Sequence, residues 1–558
     1  MNCLAVRSFA VAFVLSVWPT AWAASTDLKA ARPEPAVSVL LHTQKRLGPA
    51  EAIGDLIGLQ YGPYTFGPRN PDPWGIKAWT EIGFNVGDIA LFNYEDISSP
   101  YTDAGKIVGI HVKRDKAGRL QLDFSDFDKN ILFLRDVLHV RRIDFTCWGT
   151  PKALADPAAG EFYFYHAPKS YAEWNDILAR AVWHIAHVLK LPGSTYKPWT
   201  EPDTGYYWRG RAHAGFIVTR QTDPAKIRAL LVKQRFILDD YVEKYVNDWR
   251  VIKATDPTAK VGGPFTVWSQ ALPPHPENPD WGIAFTLDDF LSRLDDYNLH
   301  HPGKHVSIDE IDYQDYDWTG HGLAPGVIAA NALVKKHHLP ANTPLVLTGW
   351  NQNLRTEPNH ARRTAYVVSN IVRELVPAGR PRTLARAYLW PFDTDYQYKD
   401  PVAPVVMPYQ ATSYDGVDGV GDGPFSVPAV HERRKRGMHA ALVLLARMKP
   451  GVLISATSND PAVPALASLQ PDGRLMAVMV NDSAQSKTVV VRVLGEHDAG
   501  ARGTIRVQRA DATHSADGSG LESGTEETVV VGRSGRLPEI AVSPWSVVGI
   551  TWRPGDRH

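Results

Sequence analysis

The sequence predicts an α/β fold: a parallel (β/α)8 TIM barrel followed by a C-terminal β-sandwich. Three observations predict it. From about Ile53 to Phe392, short apolar runs alternate with longer helical patterns, which is the signature of parallel strands joined by crossover helices. The runs number eight: IGLQYG, VGDIALFN, RRIDFTCWG, STYKPWTEP, KVGGPF, HVSIDEIDY, PLVLTGWNQ and RAYLWPF. Beyond Asp400 the pattern changes to short alternating runs separated by turn residues, from GVLISAT to SVVGITWR, as a sandwich requires. The third observation is length. A barrel absorbs about 250 residues or more, so 558 residues fit one large and one smaller domain.

Taken in order, residues 1–23 read as a secretory signal peptide. Arg7 precedes the apolar run Phe9 to Trp18, and small residues at Ala21 and Ala23 offer a cleavage site. The run is too short to cross about 30 Å of hydrocarbon, and no later stretch approaches the roughly 20 apolar residues of a transmembrane helix. A secreted or periplasmic location is therefore expected. Residues 24–52 read as a linker ending in a short strand, AVSVLLH, and 53–400 as the barrel.

Among the helix signals the best follows the fourth run, with Asp223 as N-cap and Pro224 at the first helical position. Its apolar Ile227, Leu230, Leu231, Ile237, Leu238, Tyr241, Val242, Tyr245 and Trp249 keep a three-to-four spacing, so it should cover the barrel. The Gly/Pro/Asp-rich stretch Asp400 to Pro424 marks a boundary, a helical pattern covers Glu432 to Met448, and residues 401–558 form the accessory domain with its connecting loop and helix.

Charge and cysteine content exclude several functions. Sixty Lys+Arg balance 60 Asp+Glu, so the chain lacks the basic footprint of a nucleic-acid binder. Of two cysteines, Cys3 leaves with the signal, and Cys147 alone can form neither an intrachain disulfide nor a Cys/His metal cluster. No metal or organic cofactor is implied. Seventeen Trp and 21 Tyr suit a cleft that stacks on flat ligand faces, although rings also fill large cores.

Active sites of these barrels lie at the C-terminal strand ends, and three ends carry polar residues there. They are Trp199-Thr200-Glu201-Pro202-Asp203, Asp309-Glu310-Ile311-Asp312-Tyr313 and Thr348-Gly349-Trp350-Asn351. Together with IDFTCWGTPKALA, DPTAKVGGPF and AYLWPFDTDY, their order and spacing resemble glycoside hydrolase family 39, which includes β-xylosidases and α-L-iduronidases. The likeness runs over nearly the whole mature chain.

The resemblance implies an exported hydrolase of O-glycosidic bonds in a polysaccharide or oligosaccharide, β-xylosidase-like, with Glu201 as general acid/base. Thr200 stands where the family usually has Asn, and Gly349 stands where it has the nucleophilic Glu. A double displacement needs a second carboxylate about 5–5.5 Å from the first, which Gly349 cannot supply. The nearest substitute is Asp309 or Glu310. Counting alternation from Val306 and Ile308 puts Ser307, Asp309 and Tyr313 on the inner face, and Glu310 reaches in if the strand has already ended. Trp148, Tyr313, Trp350 and Trp390 fall at strand ends where rings can stack on a sugar. Trp199 and Asn351 complete the expected substrate contacts. The rival expectations are a carbohydrate-binding protein that lost catalysis through Gly349, and a polysaccharide-processing partner in a secretion assembly.

Overall fold

In the computed structural model the described residues are 36–60, 67–68, 71–92, 109–204, 207–211, 232, 235–266, 284–317, 322–352, 360–375, 384–389, 393–394, 405–406, 434–435, 437–495, 502–510, 525–530 and 535–554. Residues 1–23, Asp223, Pro224, Trp390 and most of the Asp400 to Pro424 stretch lie outside them.

After strand β1 (Val37–Pro49), the barrel strands are β2 (Gly58–Leu59), β3 (Val86–Ala90), β6 (Arg142–Thr146), β7 (Thr195–Lys197), β8 (Lys260–Thr266), β9 (Glu310–Asp317), β10 (Leu345–Gln352) and β11 (Leu384–Leu389). A small hairpin, β4 (His111–Arg114) with β5 (Leu120–Asp123), interrupts the series. The eight barrel strands pair in parallel and close as β10-β11-β2-β3-β6-β7-β8-β9. Each coincides with a predicted run except in phase at the sixth, where the run begins at His305 but pairing begins at Glu310.

Helices fill the crossovers because their apolar stripes need covering. Tyr171–His187 is N-capped by Ser170 and buries Trp174, Ile177, Leu178, Ala181, Val182 and Ile185. Helix Arg235–Thr255 buries the predicted Ile237, Leu238, Tyr241, Val242 and Tyr245. Leu287–His300 starts with a capping box between Thr286 and Asp289.

Three two-residue strands, β12 (Asp393–Thr394), β13 (Val405–Val406) and β14 (Arg434–Lys435), form a separate patch before the C-terminal sheet. That sheet has β15 (Val452–Ser458), β16 (Ala465–Leu469), β17 (Leu475–Asn481), β18 (Lys487–Leu494), β19 (Arg502–Ala510), β20 (Thr525–Val530), β21 (Arg536–Val542) and β22 (Ser546–Pro554). Its ninth strand is β1. The N-terminal segment inserts between β15 and β18, antiparallel to one and parallel to the other, so the accessory sheet is completed by residues from before the barrel. Val39 and Leu41 then join a core with Ile454, Ala467, Met479, Val491 and Trp552. The sheet's other face packs on the barrel through helix Gly437–Ala446, whose Leu444 shares the main core with Val478 and Val547.

Candidate active site

The barrel interior is polar, and its charges sit in layers set by strand register. At the floor Arg142, the first residue of β6, faces Glu310, the first of β9, at 3.6 Å, and it also hydrogen-bonds the Thr195 hydroxyl. Above them Asp144 accepts from Arg386 at 3.1 Å and from the Tyr388 hydroxyl at 2.5 Å, and Arg386 also pairs with Glu310 at 2.5 Å. Lys197, fully buried, lies 3.2 Å from Asp88 and 3.6 Å from Asp144 and over the Tyr388 ring.

Burial pushes the Asp88 carboxyl up to about 6 against the pull of Lys197. Burial also acts upward on Asp144, but Arg386, Lys197 and Arg142 outweigh it and hold that carboxyl well below the usual range.

Asp312 is the unmatched member. Both its oxygens are buried with no hydrogen-bond partner, and burial, reinforced by Glu310 and only partly offset by Lys197 and Arg386, pushes its carboxyl well up. It packs on Gly262, where an added Cβ would lie 2.1 Å from Asp312 Oδ2, so only glycine fits there. The folded state keeps this proton to higher pH than the unfolded chain, so stability falls as pH rises above about 4, by about 1.4 kcal/mol per pH unit until the folded group ionises. Asp312→Asn keeps the shape and removes this loss. Thermal melts are expected to show a higher midpoint than the parent at pH 7 and a flatter pH dependence.

Glu201 lies at the mouth, on the loop leaving β7. It is 9% exposed, and its φ of 43° is in the left-handed region that side chains rarely adopt, a cost of order 1–3 kcal/mol. The surroundings hold it there. Its N–H donates to the Phe265 carbonyl at the end of β8, and its carbonyl accepts from the Thr204 N–H and hydroxyl. Burial pushes the carboxyl from its ordinary 4.5 up to about 7, a hydrogen bond from the Gln314 side chain opposes this, and no charged group among the described residues contributes. Glu201 Oε2 and Gln314 Oε1 are both buried and unpartnered. A carboxyl poised near neutrality, with one oxygen unspent, can deliver a proton to a bound leaving group.

The expected partner carboxylates lie elsewhere. Asp309 precedes β9 at the N-terminal end of the barrel, where it accepts from the Val261 N–H at 2.7 Å and pairs with Lys253 at 2.8 Å. Glu310 is the floor residue already described. Both expectations are corrected for one reason: β9 starts five residues later than the apolar run, so these two residues lie at the beginning of the strand instead of its end.

Phase is corrected too. Glu310 and Gln314 bond groups inside the barrel and Asp312 feels the charges of Glu310, Lys197 and Arg386 there, whereas Tyr313 is electrostatically close to Asp315 and to Glu374 of helix His360–Leu375, on the outer side. Tyr313 is therefore core and does not face a sugar.

Gly349 pairs in register with Gln314, after a bulge between Leu347 and Gly349, which places it beside the residue that bonds Glu201. Trp350, next along, is fully buried opposite Asp315. Trp199 is fully buried, with its indole N–H donated to the Tyr207 carbonyl at 2.6 Å, and it braces the loop where a substrate contact was expected. Thr200 is buried within the same loop. Trp148 follows β6 and meets Tyr207 edge-on at 5.4 Å. Asn351 belongs to β10 opposite Tyr316, but its side chain, like Trp390, lies outside the described residues.

Sequence reasoning missed Gln314, Asp88, Asp144, Lys197 and Arg386, and it gave Asp312 no role. Among the described residues no group of three or more His, Cys, Asp or Glu side chains is arranged to hold a metal ion, and no helix among them is long and apolar enough to cross a membrane.

No protein-family model matches the sequence, and no curated protein matches it. Solved structures do match in fold. A monomeric β-xylosidase from Caulobacter crescentus superposes with a TM-score of 0.58 at 16% identity, over 93% of this chain and 100% of that one. A GH39 enzyme from Xanthomonas axonopodis pv. citri gives 0.59 at 16% identity, over 93% and 98%. A bacterial orthologue of human α-L-iduronidase gives 0.58 at 13% identity, over 93% and 84%. The chain thus has a barrel-plus-sandwich fold like that of family 39 glycoside hydrolases.

Proposed function

We propose that the chain is an exported glycoside hydrolase, β-xylosidase-like, in which Glu201 protonates the departing glycosidic oxygen. The observation that carries this reading is the Glu201 carboxyl itself: at a strand end of a glycosidase-like barrel, buried, pushed up to about 7 by desolvation, and with one oxygen free of partners. A glycosidic oxygen leaves poorly unless an acid supplies a proton as the bond breaks, and Glu201 holds that proton through the weakly acidic range. The Gln314 amide keeps the carboxyl aimed without charging it. The reading assigns the opposite face of the anomeric carbon to no described carboxylate. Export rests on the apolar run Phe9 to Trp18 and the small residues Ala21 and Ala23. N-terminal sequencing of the exported product tests it.

A second reading is a binding protein that holds an oligosaccharide without cleaving it. It is favoured by the register that places side-chainless Gly349 beside Gln314 and by the position of Asp309 and Glu310 at the far end of β9. One pair of measurements separates the two. Reducing-sugar release from a panel of xylo- and arabino-oligosaccharides, run beside calorimetry on the same panel, supports the hydrolase if turnover accompanies binding. Binding without release supports the second reading.

A further inference from the structure

Helix Arg235–Thr255 presents one face to the loop that carries Glu201. Residues 237, 241, 244 and 248 repeat at the spacing of a single helical stripe; the first three touch supports of that loop and the fourth holds the third. The Ile237 carbonyl accepts the Trp208 indole N–H, and Trp208 packs against Trp199 at 4.8 Å. The Tyr241 hydroxyl donates to the Pro264 carbonyl, one residue before the carbonyl that takes the Glu201 N–H.

The next position is a charge. Lys244 is fully buried, 2.5 Å from Asp248, 4.0 Å over the Trp174 ring and 5.2 Å over the Trp199 ring. Asp248, also fully buried, takes the Trp174 indole N–H at 2.7 Å. A buried ion pair adds little stability over apolar residues of the same volume, because desolvation consumes the Coulombic gain. Its effect is geometric: Asp248 fixes the ammonium, and the ammonium fixes the indole face of Trp199, whose N–H closes the loop on Tyr207 around Glu201.

We infer that Lys244, anchored by Asp248, is a positioning residue that acts on Glu201 through Trp199. The inference rests on the reading of Glu201 as the acid. It requires that loosening Trp199 admit water to the Glu201 carboxyl, which among the described residues is bonded by the Gln314 side chain of β9 and shifted by no charged group of β7, β8 or β9.

The test is the double variant Lys244→Met/Asp248→Asn, which nearly keeps volume, removes both charges and leaves an amide oxygen for the Trp174 indole N–H. The variant Trp174→Phe removes the N–H that orients Asp248 and trims the ring beneath Lys244, and Lys244→Arg keeps the cation. Expected for the double variant are an unchanged or higher melting temperature and a kcat on unactivated glycosides lower by about tenfold to a hundredfold. KM should stay within about twofold, and the basic limb of the pH profile should move down from about 7 toward the ordinary carboxyl range. Trp174→Phe should move the same way by less, and Lys244→Arg should restore the limb.

Carbon-13 NMR titration of glutamate carboxyls, with the Glu201 signal assigned by its loss in Glu201→Gln, reads the same shift without turnover. Absent turnover in the parent chain sinks the hydrolase reading, and the titration still decides the role of Lys244. An unmoved Glu201 titration in the double variant, with the fold intact, overturns the inference.

Discussion

Glu201→Gln is expected to lower hydrolysis of glycosides with poor leaving groups by about 100- to 10,000-fold, while activated aryl glycosides, which depart without a proton, lose far less. The basic limb near pH 7 should vanish with it, because the group whose deprotonation causes that limb is gone. Stability should move the opposite way. A carboxyl raised from 4.5 to about 7 keeps its proton in the folded state to higher pH than in the unfolded chain. Folding is therefore penalised progressively as pH rises through that window, by about 3 kcal/mol once both states have ionised. The amide carries no such penalty. Thermal melts should find variant and parent level near pH 4 and the variant more stable at pH 8, with hydrolysis rates following the reverse order. Equal losses on both substrate types would make Glu201 a binding or structural residue. A variant less stable at pH 8 would mean that the carboxyl is better solvated than its burial indicates.

The fold was legible because strand runs and helix stripes are local patterns. All eight runs overlap barrel strands, because the face each strand turns to the covering helices must be apolar. The position of Glu201 just beyond a barrel strand was legible through Trp-x-Glu-Pro at the end of the fourth run. What failed was phase. Counting from Val306 and Ile308 extended the alternation through residues that precede the strand, whereas Glu310-Ile311-Asp312-Tyr313-Gln314 carries its own strict alternation with polar residues inward. A one-residue change of phase exchanges the two faces, so Asp309 and Tyr313 stood in for Asp312 and Gln314. The charge layers were invisible for another reason: Asp88, Asp144, Lys197, Glu310 and Arg386 come from five strands, and only barrel closure makes them neighbours. The same limit hid the place of β1, because nothing within its sequence shows that its partners are β15 and β18.

Gly349→Glu is expected to create hydrolysis of an activated aryl pentoside well above the parent's, with retention at the anomeric centre. The reason is register. Gly349 pairs with Gln314, whose amide bonds Glu201, so a carboxylate grown from Gly349 enters beside the acid, where retention needs a spacing of about 5–5.5 Å. Two further consequences carry their own signs. A second negative charge close to Glu201 favours its protonated form, so the basic limb should rise above about 7. Because Gly349 is buried, the longer side chain also crowds its surroundings, and a stability loss of about 1–3 kcal/mol is expected. Gly349→Gln separates charge from volume: it should show the same stability loss with no gain in rate and no movement of the limb. Stereochemistry of the first product, followed by NMR, completes the test. If the parent already hydrolyses with inversion and the new Glu slows it, water occupies the space above Gly349 and the carboxylate has displaced it. If parent and variant are both silent while calorimetry still finds oligosaccharide binding, the barrel holds sugars without cleaving them, and the hydrolase reading falls.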